Sequence, residues 1–208
     1  LIGPAVLYFM LQIVTDMEMM IQAIRQLIRL SEAEAEHFVR DCRAVSFSRN
    51  EELLAAGPVP QKILFVLEGV VRVTIDDLSG KEHTVHFARP MEFITDYSAF
   101  LEGIGAAFAV RAVSAGRAVV LPRSTIEWGY AHLQDGEKLG RTVAEYYFTY
   151  LDNRIKRLFT LPPMERYTNI GKVFPGIHDQ VPQHMIASYL GITPVHLSRL
   201  KRELRSKV

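Results

Sequence analysis

Apolar positions follow three different periods along this 208-residue chain. From Met17 to Cys42 they recur every three or four residues, at Met20, Ile21, Ile24, Leu27 and Ile28, which predicts amphipathic helix. Ser31 is placed to cap a second helix, and Glu32, Glu34 and Glu36 crowd its first turn. From Ala44 to Arg123 the period falls to two. Ile63 to Leu67 is a buried run, Glu68-Gly69 turns it, and Val70, Val71, Val73 and Ile75 continue on the return. Asp76 to Gly80 reads as a hairpin loop, and Thr84–Phe87, Ala106–Val113 and Ala118–Leu121 as further strands. Six to eight short strands at this spacing predict an antiparallel sandwich or jelly roll. Beyond Arg123 the helical period returns, first over Ser124–Leu133 and then over a long stretch from about Asp135 to Phe159.

Within that long stretch Ala144, Phe148, Leu151, Ile155 and Leu158 recur at spacings of 4, 3, 4 and 3, a heptad seam. Val143, Tyr147 and Tyr150 form a second apolar stripe beside it. A helix apolar on two sides must bury both, and a barrel covers only one. The seam therefore predicts a homodimer. Leu161-Pro162-Pro163 then breaks the helix, because a residue before proline resists the helical conformation. The chain divides into residues 17–134, 135–160 and 161–208, with Met164–Val173 expected as one more helix.

The end of the chain carries the most specific pattern. Met185, Ile186, Ala187, Tyr189 and Leu190 predict a short apolar helix. Gly191 closes it, since glycine takes the left-handed conformation at little cost. Thr193 can cap the next helix with its hydroxyl, and Pro194 suits the first helical position. Leu197, Leu200 and Leu204 share one face, leaving Ser198, Arg199, Lys201, Arg202 and Arg205 outside. Two helices around a tight turn make a helix-turn-helix, whose second helix enters the DNA major groove. Charge separates this from an ordinary hairpin. From Gln183 onward five Lys/Arg face Glu203 alone, a net of +4, whereas the preceding 182 residues carry 19 basic and 22 acidic side chains. Such concentration on one helix is the footprint of phosphate binding.

Composition adds limits. The net charge is +1, and 49% hydrophobic residues suffice for a packed core. A lone cysteine, Cys42, excludes an intramolecular disulfide and a cysteine-ligated cluster within one chain. His83 and His86 point to opposite sides of a strand, so no metal site is expected. No nucleophile motif or Gly-rich phosphate loop is present, and the chain does not read as an enzyme. Leu1–Val14 is nearly all apolar but shorter than the ~20 residues of a spanning helix, and no basic residue precedes Arg25 as in a secretory signal. A cytoplasmic protein is expected. Three origins stay open for this segment: foreign sequence, a misread start with Met17 as the real one, or a piece packed on a partner.

Barrel, long helix and C-terminal helix-turn-helix, in that order, resemble the cyclic-AMP receptor protein / fumarate-nitrate reduction regulator (Crp/Fnr) superfamily of bacterial transcription regulators. The resemblance rests on ILFVLEGVVRV (Ile63–Val73) and IASYLGITPVHLSRLKR (Ile186–Arg202). Pro163-Met164-Glu165-Arg166-Tyr167 and Glu92–Tyr97 are similar to the family's Bacteroidetes-like branch. The implied fold is α+β, with a cyclic-nucleotide-binding-like jelly roll, a dimerisation helix and a DNA-binding domain. Implied partners are double-stranded DNA, a second copy, a small-molecule effector and RNA polymerase, without a membrane.

The departures are equally informative. The family's ribose Glu and cyclic-phosphate Arg are missing from Phe93-Ile94-Thr95-Asp96 and Gly105–Val110, and a buried phosphate without a cation is expensive. Cyclic AMP is therefore not the expected ligand, and whether a cofactor is bound stays open. Phe93, Thr95, Arg111 and Tyr147 are the candidate effector-pocket residues, with Arg89 or Arg111 as stand-ins should a cyclic nucleotide bind after all. At the DNA, Thr193, Val195, His196, Ser198, Arg199, Lys201, Arg202 and Arg205 are the candidate contacts, with Arg199 first for a base because Arg reads guanine bidentately. The family's two-stranded wing is absent or beyond the sequence, which keeps open a sensor module acting on a protein partner without DNA.

Overall fold

The computed structural model describes residues 4–206, with side chains described from residue 11. Two helices open the chain, α1 (Pro4–Arg25) and α2 (Glu32–Val39). The first begins at Pro4 rather than near Met17, so the apolar N-terminal run and the amphipathic stretch form one helix. The packing of residues 1–10 lies outside the described side chains. Ser31 caps α2 as its sequence predicts, in a capping box with Glu34: the Ser31 hydroxyl accepts from the Glu34 amide, and the Glu34 carboxylate accepts from the Ser31 amide.

Eight strands follow: β1 (Arg43–Phe47), β2 (Glu52–Leu54), β3 (Lys62–Glu68), β4 (Val71–Asp76), β5 (Glu82–Ala88), β6 (Phe93–Ile94), β7 (Ala109–Ala112) and β8 (Gly116–Pro122). They form two four-stranded antiparallel sheets, ordered β1-β8-β3-β6 and β2-β7-β4-β5. The unbroken apolar run of β3 has a simple cause. Leu64 and Val66 point between the sheets, against Val71, Val73, Val110 and Val120. Ile63, Phe65 and Leu67 point the other way, under Met20, Ile24 and Phe38 of the N-terminal helices. A strand covered on both faces has no polar side to alternate with. Gly69 takes φ +86° between β3 and β4, where an added Cβ would lie 2.7 Å from the Ala115 carbonyl oxygen.

A short helix, α3 (Tyr97–Glu102), interrupts the strands and was not expected from the sequence pattern. After the barrel come α4 (Arg123–His132) and the long α5 (Gly136–Thr160). Leu139 and Val143 of α5 pack into the core under the N-terminal helices, and the Tyr147 hydroxyl donates to the Phe93 carbonyl at 2.6 Å. Past the Pro162-Pro163 break lie α6 (Pro163–Val173), the unforeseen turn α7 (Ile177–Gln180), α8 (Gln183–Tyr189) and α9 (Pro194–Arg205). Their core, with Ile170, Phe174, Ile186 and Leu197, closes over Val70, Phe87 and Val113 of the barrel. Here α8 lies along β5, and the Ser188 hydroxyl accepts from the Thr84 amide at 2.8 Å.

Candidate functional site

The turn between α8 and α9 is built by local chemistry. Gly191 sits at φ +66°, the Ile192 amide donates to the Ala187 carbonyl and the Gly191 amide to that of Ser188, both at 3.0 Å. These two bonds make a Schellman motif, which satisfies the last carbonyls of α8. The Thr193 hydroxyl then accepts from the His196 amide, and Pro194 follows at the first position of α9. Leu197 and Leu200 are buried against α8. Val195, His196, Ser198, Arg199, Arg202 and Arg205 are exposed, as is the cap Thr193. Lys201 is half-buried, and its Nζ donates to Gln183 Oε1 at 3.1 Å, so it is held by its own domain.

Along α5 the predicted seam splits by exposure. Phe148, Leu151 and Ile155 lie 73%, 42% and 55% exposed, while Ala144 and Leu158 are half-buried. Phe159 extends the same stripe at 87%.

Between α5 and the barrel lies a cleft of about 380 Å³. Thr95 and Tyr147, two of the residues expected there, line it together with His86, Asp96, Phe108 and Tyr150. The other two do not. Phe93 packs on Phe65 in the core beneath the N-terminal helices, its ring centroid 4.8 Å away, and meets Tyr147 only through its carbonyl. Arg111 is drawn to carboxylates of neighbouring strands, Glu52 at 2.6 Å and Glu82 at 3.4 Å. Arg89 is likewise taken, by Glu92 at 3.2 Å. No Arg or Lys lines the cleft among the described residues, and Glu102 adds a second carboxylate.

Asp96 is the residue that sequence reasoning missed. One of its oxygens accepts from the Ser98 hydroxyl and the Ala99 amide, capping α3. The other accepts from the Ala107 and Phe108 amides at 2.9 and 3.1 Å. Those amides are consequently unavailable to a sheet, which is why β7 starts at Ala109 and not at Ala106 as expected. Asp two residues before Ser98 and three before Ala99 was the available signal, an N-cap pattern.

His86 lies at the back of the cleft, edge-on to Tyr150 at 4.5 Å, with Phe174 at 5.7 Å. It is buried and its Nδ1 has no partner. Burial, together with the positive charges of Arg154 and Arg89, pushes its pKa down to about 3. The neutral ring is thus favoured by folding. Between about pH 3 and the ordinary value near 6.5, the unfolded chain binds the extra proton, so stability rises with pH across that window. Acidification from pH 6.5 to 4 is expected to cost up to about 1.4 kcal/mol per unit through this group. The His86→Gln chain should lack that component in denaturant titrations. Equal slopes for both chains would show that His86 is not held neutral.

The comparisons with known proteins fit this geometry. Residues 44–131 match the family model of the cyclic nucleotide-binding domain. FixK2 from Bradyrhizobium japonicum has 18% identity and a TM-score of 0.68, over 80% of this chain and 85% of that one. A protein of the crp/fnr family from Eubacterium rectale has 13% identity and a TM-score of 0.67, over 86% and 85%. This chain has the Crp/Fnr fold. CLP, a c-di-GMP responsive global regulator of Xanthomonas campestris, aligns with the Crp/Fnr-fold chain at 12% identity and a TM-score of 0.66, over 83% and 90%. None of the curated proteins matches it. The Xanthomonas and Eubacterium proteins are described as regulators, and no helix among the described residues is long and apolar enough to cross a membrane.

Proposed function

We propose that this Crp/Fnr-fold chain is a homodimeric, sequence-specific DNA-binding transcription regulator whose barrel cleft takes an effector other than cyclic AMP. Residues 17–134 serve as sensor, 135–160 as dimerisation helix and 161–208 as DNA-binding unit. The observation that carries the reading is α9: a capped, protruding helix with its leucines buried and Val195, His196, Ser198, Arg199, Arg202 and Arg205 presented together to solvent. Arg199 stands about 200° round the helix from the buried Leu197 and is the base reader. Arg205, near the C-terminal end, meets phosphate.

Removing Arg199 should cost about 1–3 kcal/mol on a selected operator and relax preference at one base pair. Removing Arg205 should weaken all sequences alike and lower the salt slope by about one. Both are read from binding of Arg199→Ala and Arg205→Ala to operator and random duplex over a range of salt. Equal weakening of both DNAs by Arg199→Ala would make it a backbone contact and sink this placement of α9.

The cleft's chemistry separates the effector from a cyclic nucleotide. A cyclic phosphate placed there would lose water, meet no cation, and face Asp96 with its amides already engaged. Calorimetry should detect no tight binding of cyclic AMP or cyclic GMP. Micromolar affinity for either would overturn this part of the reading.

A further inference from the structure

A second concavity, of about 380 Å³, lies outside the barrel, where α5, α6 and α8 meet. It is lined by Asn153, Arg154 and Arg157 of α5, Asn169 and Lys172 of α6, and Tyr189 of α8. A smaller cavity adjoins it, shared with Arg154 and Arg157 and extended by Arg166. No carboxylate lines either space, and none of Arg154, Arg157, Arg166 and Lys172 belongs to an ion pair among the described residues. Most other arginines of the barrel are neutralised: Arg72, Arg89, Arg111, Arg117 and Arg123 each face a carboxylate. Three unneutralised cations line the hollow and a fourth, Arg166, lines the cavity beside it. Such cations repel each other, and the arrangement is stabilised by an anion.

The side chains here are also held in place. Arg154 lies 4.0 Å over the Tyr189 ring and donates to the Tyr189 and Thr84 carbonyls. Arg166 donates to the Leu158 carbonyl, while its Nε is buried without a partner. Preorganised guanidinium groups suit the planar, bidentate geometry of phosphate. Asn153 and Asn169 add amides that donate and accept. A DNA backbone needs a protruding surface such as α9, whereas these groups point into a hollow of the size that small ligands occupy.

We propose that this hollow is a binding site for a multiply charged phosphate ester of nucleotide size, distinct from the barrel cleft, with which it shares Tyr150. The three cations of the hollow set the ligand's charge at two or more. The site takes residues from both sides of the Pro162-Pro163 break, so its occupant ties the long helix to the helix-turn-helix. This assignment does not rest on the DNA-binding reading, since its test measures the small anion directly.

The experiment is calorimetry of the full chain at low ionic strength with inorganic pyrophosphate and with ATP, using cyclic AMP as the singly charged comparator. One site per chain is expected for the first two, weakening as salt is added. Arg157 and Lys172 are exposed and make no described contact that holds the fold. The Arg157→Ala, Lys172→Ala chain should keep its melting curve and bind both anions roughly tenfold or more weakly. The proposal fails if neither anion binds at millimolar concentration, or if the double variant binds them unchanged. It fails equally if the Arg199→Ala, Arg202→Ala chain loses the binding instead, which would put the anion on α9. Competitive displacement of ATP by random duplex, with the double variant weakening DNA by the same factor, would make the hollow a DNA-backbone contact and also overturn it.

Discussion

With Leu151 and Ile155 both changed to Glu, the chain is expected to sediment as a monomer of 23.6 kDa, and the parent is expected to sediment at twice that mass. Both side chains are largely free of the single chain's core, Leu151 at 42% and Ile155 at 55% exposure, although Leu151 also lines the barrel cleft. The variant should therefore fold and keep its secondary structure. In a two-fold dimer the same positions face their own copies, and four carboxylates would have to be buried together without partners. The cost of burying unpaired charge exceeds what a seam of a few apolar side chains contributes. The second reading is DNA affinity. Two half-sites bound through one dimer gain about 10²–10⁴ over a single contact, and the variant should lose that factor. A dimer that persists at micromolar concentration would place the interface elsewhere than on α5.

Replacement of Asp96 by Ala is expected to destabilise the barrel by about 3–4 kcal/mol. The carboxylate is 3% exposed and accepts four hydrogen bonds, three of them from backbone amides of residues 99, 107 and 108. Each amide left unpaired in a buried position costs about 1–3 kcal/mol, and the neighbouring cleft admits water that lowers the figure. Asp96→Asn should recover only part of the loss, because its amide group sets a donor against a donor. Equilibrium unfolding in urea checks both. A loss below about 1 kcal/mol for the Ala variant would mean that the chain segments at residues 96 and 107 hold each other by other contacts.

What was legible in the sequence was local. Gly191, Thr193 and Pro194 define the turn by their own backbone preferences, and the structure places all three as their chemistry requires. Ser31 with Glu34 is another such case. The alternation in β4 and β5 and the unbroken run in β3 gave the barrel, since burial on one or both faces writes itself into the pattern. Long-range chemistry was not legible. Arg111 looked free until the fold brought Glu52 and Glu82 beside it from separate strands. Asp96 looked like a departure from a family pattern, and is in fact the joint between α3 and the approach to β7. The basic hollow is assembled from both sides of a helix break, and no spacing rule connects Arg157 to Lys172.

One contact has a meaning beyond positioning. β5 is the outermost strand of its sheet, and an outermost strand carries unpaired N–H and C=O groups through which proteins aggregate. In this molecule Thr84 would present such a pair. Its amide is taken by Ser188, and its carbonyl by Arg154. The helix that leads into α9 and the long α5 thus together cover this point of the edge. Moving α8 off β5 would free the Thr84 amide and leave its carbonyl on Arg154 of α5, so how much of this edge stays covered depends on where α8 sits.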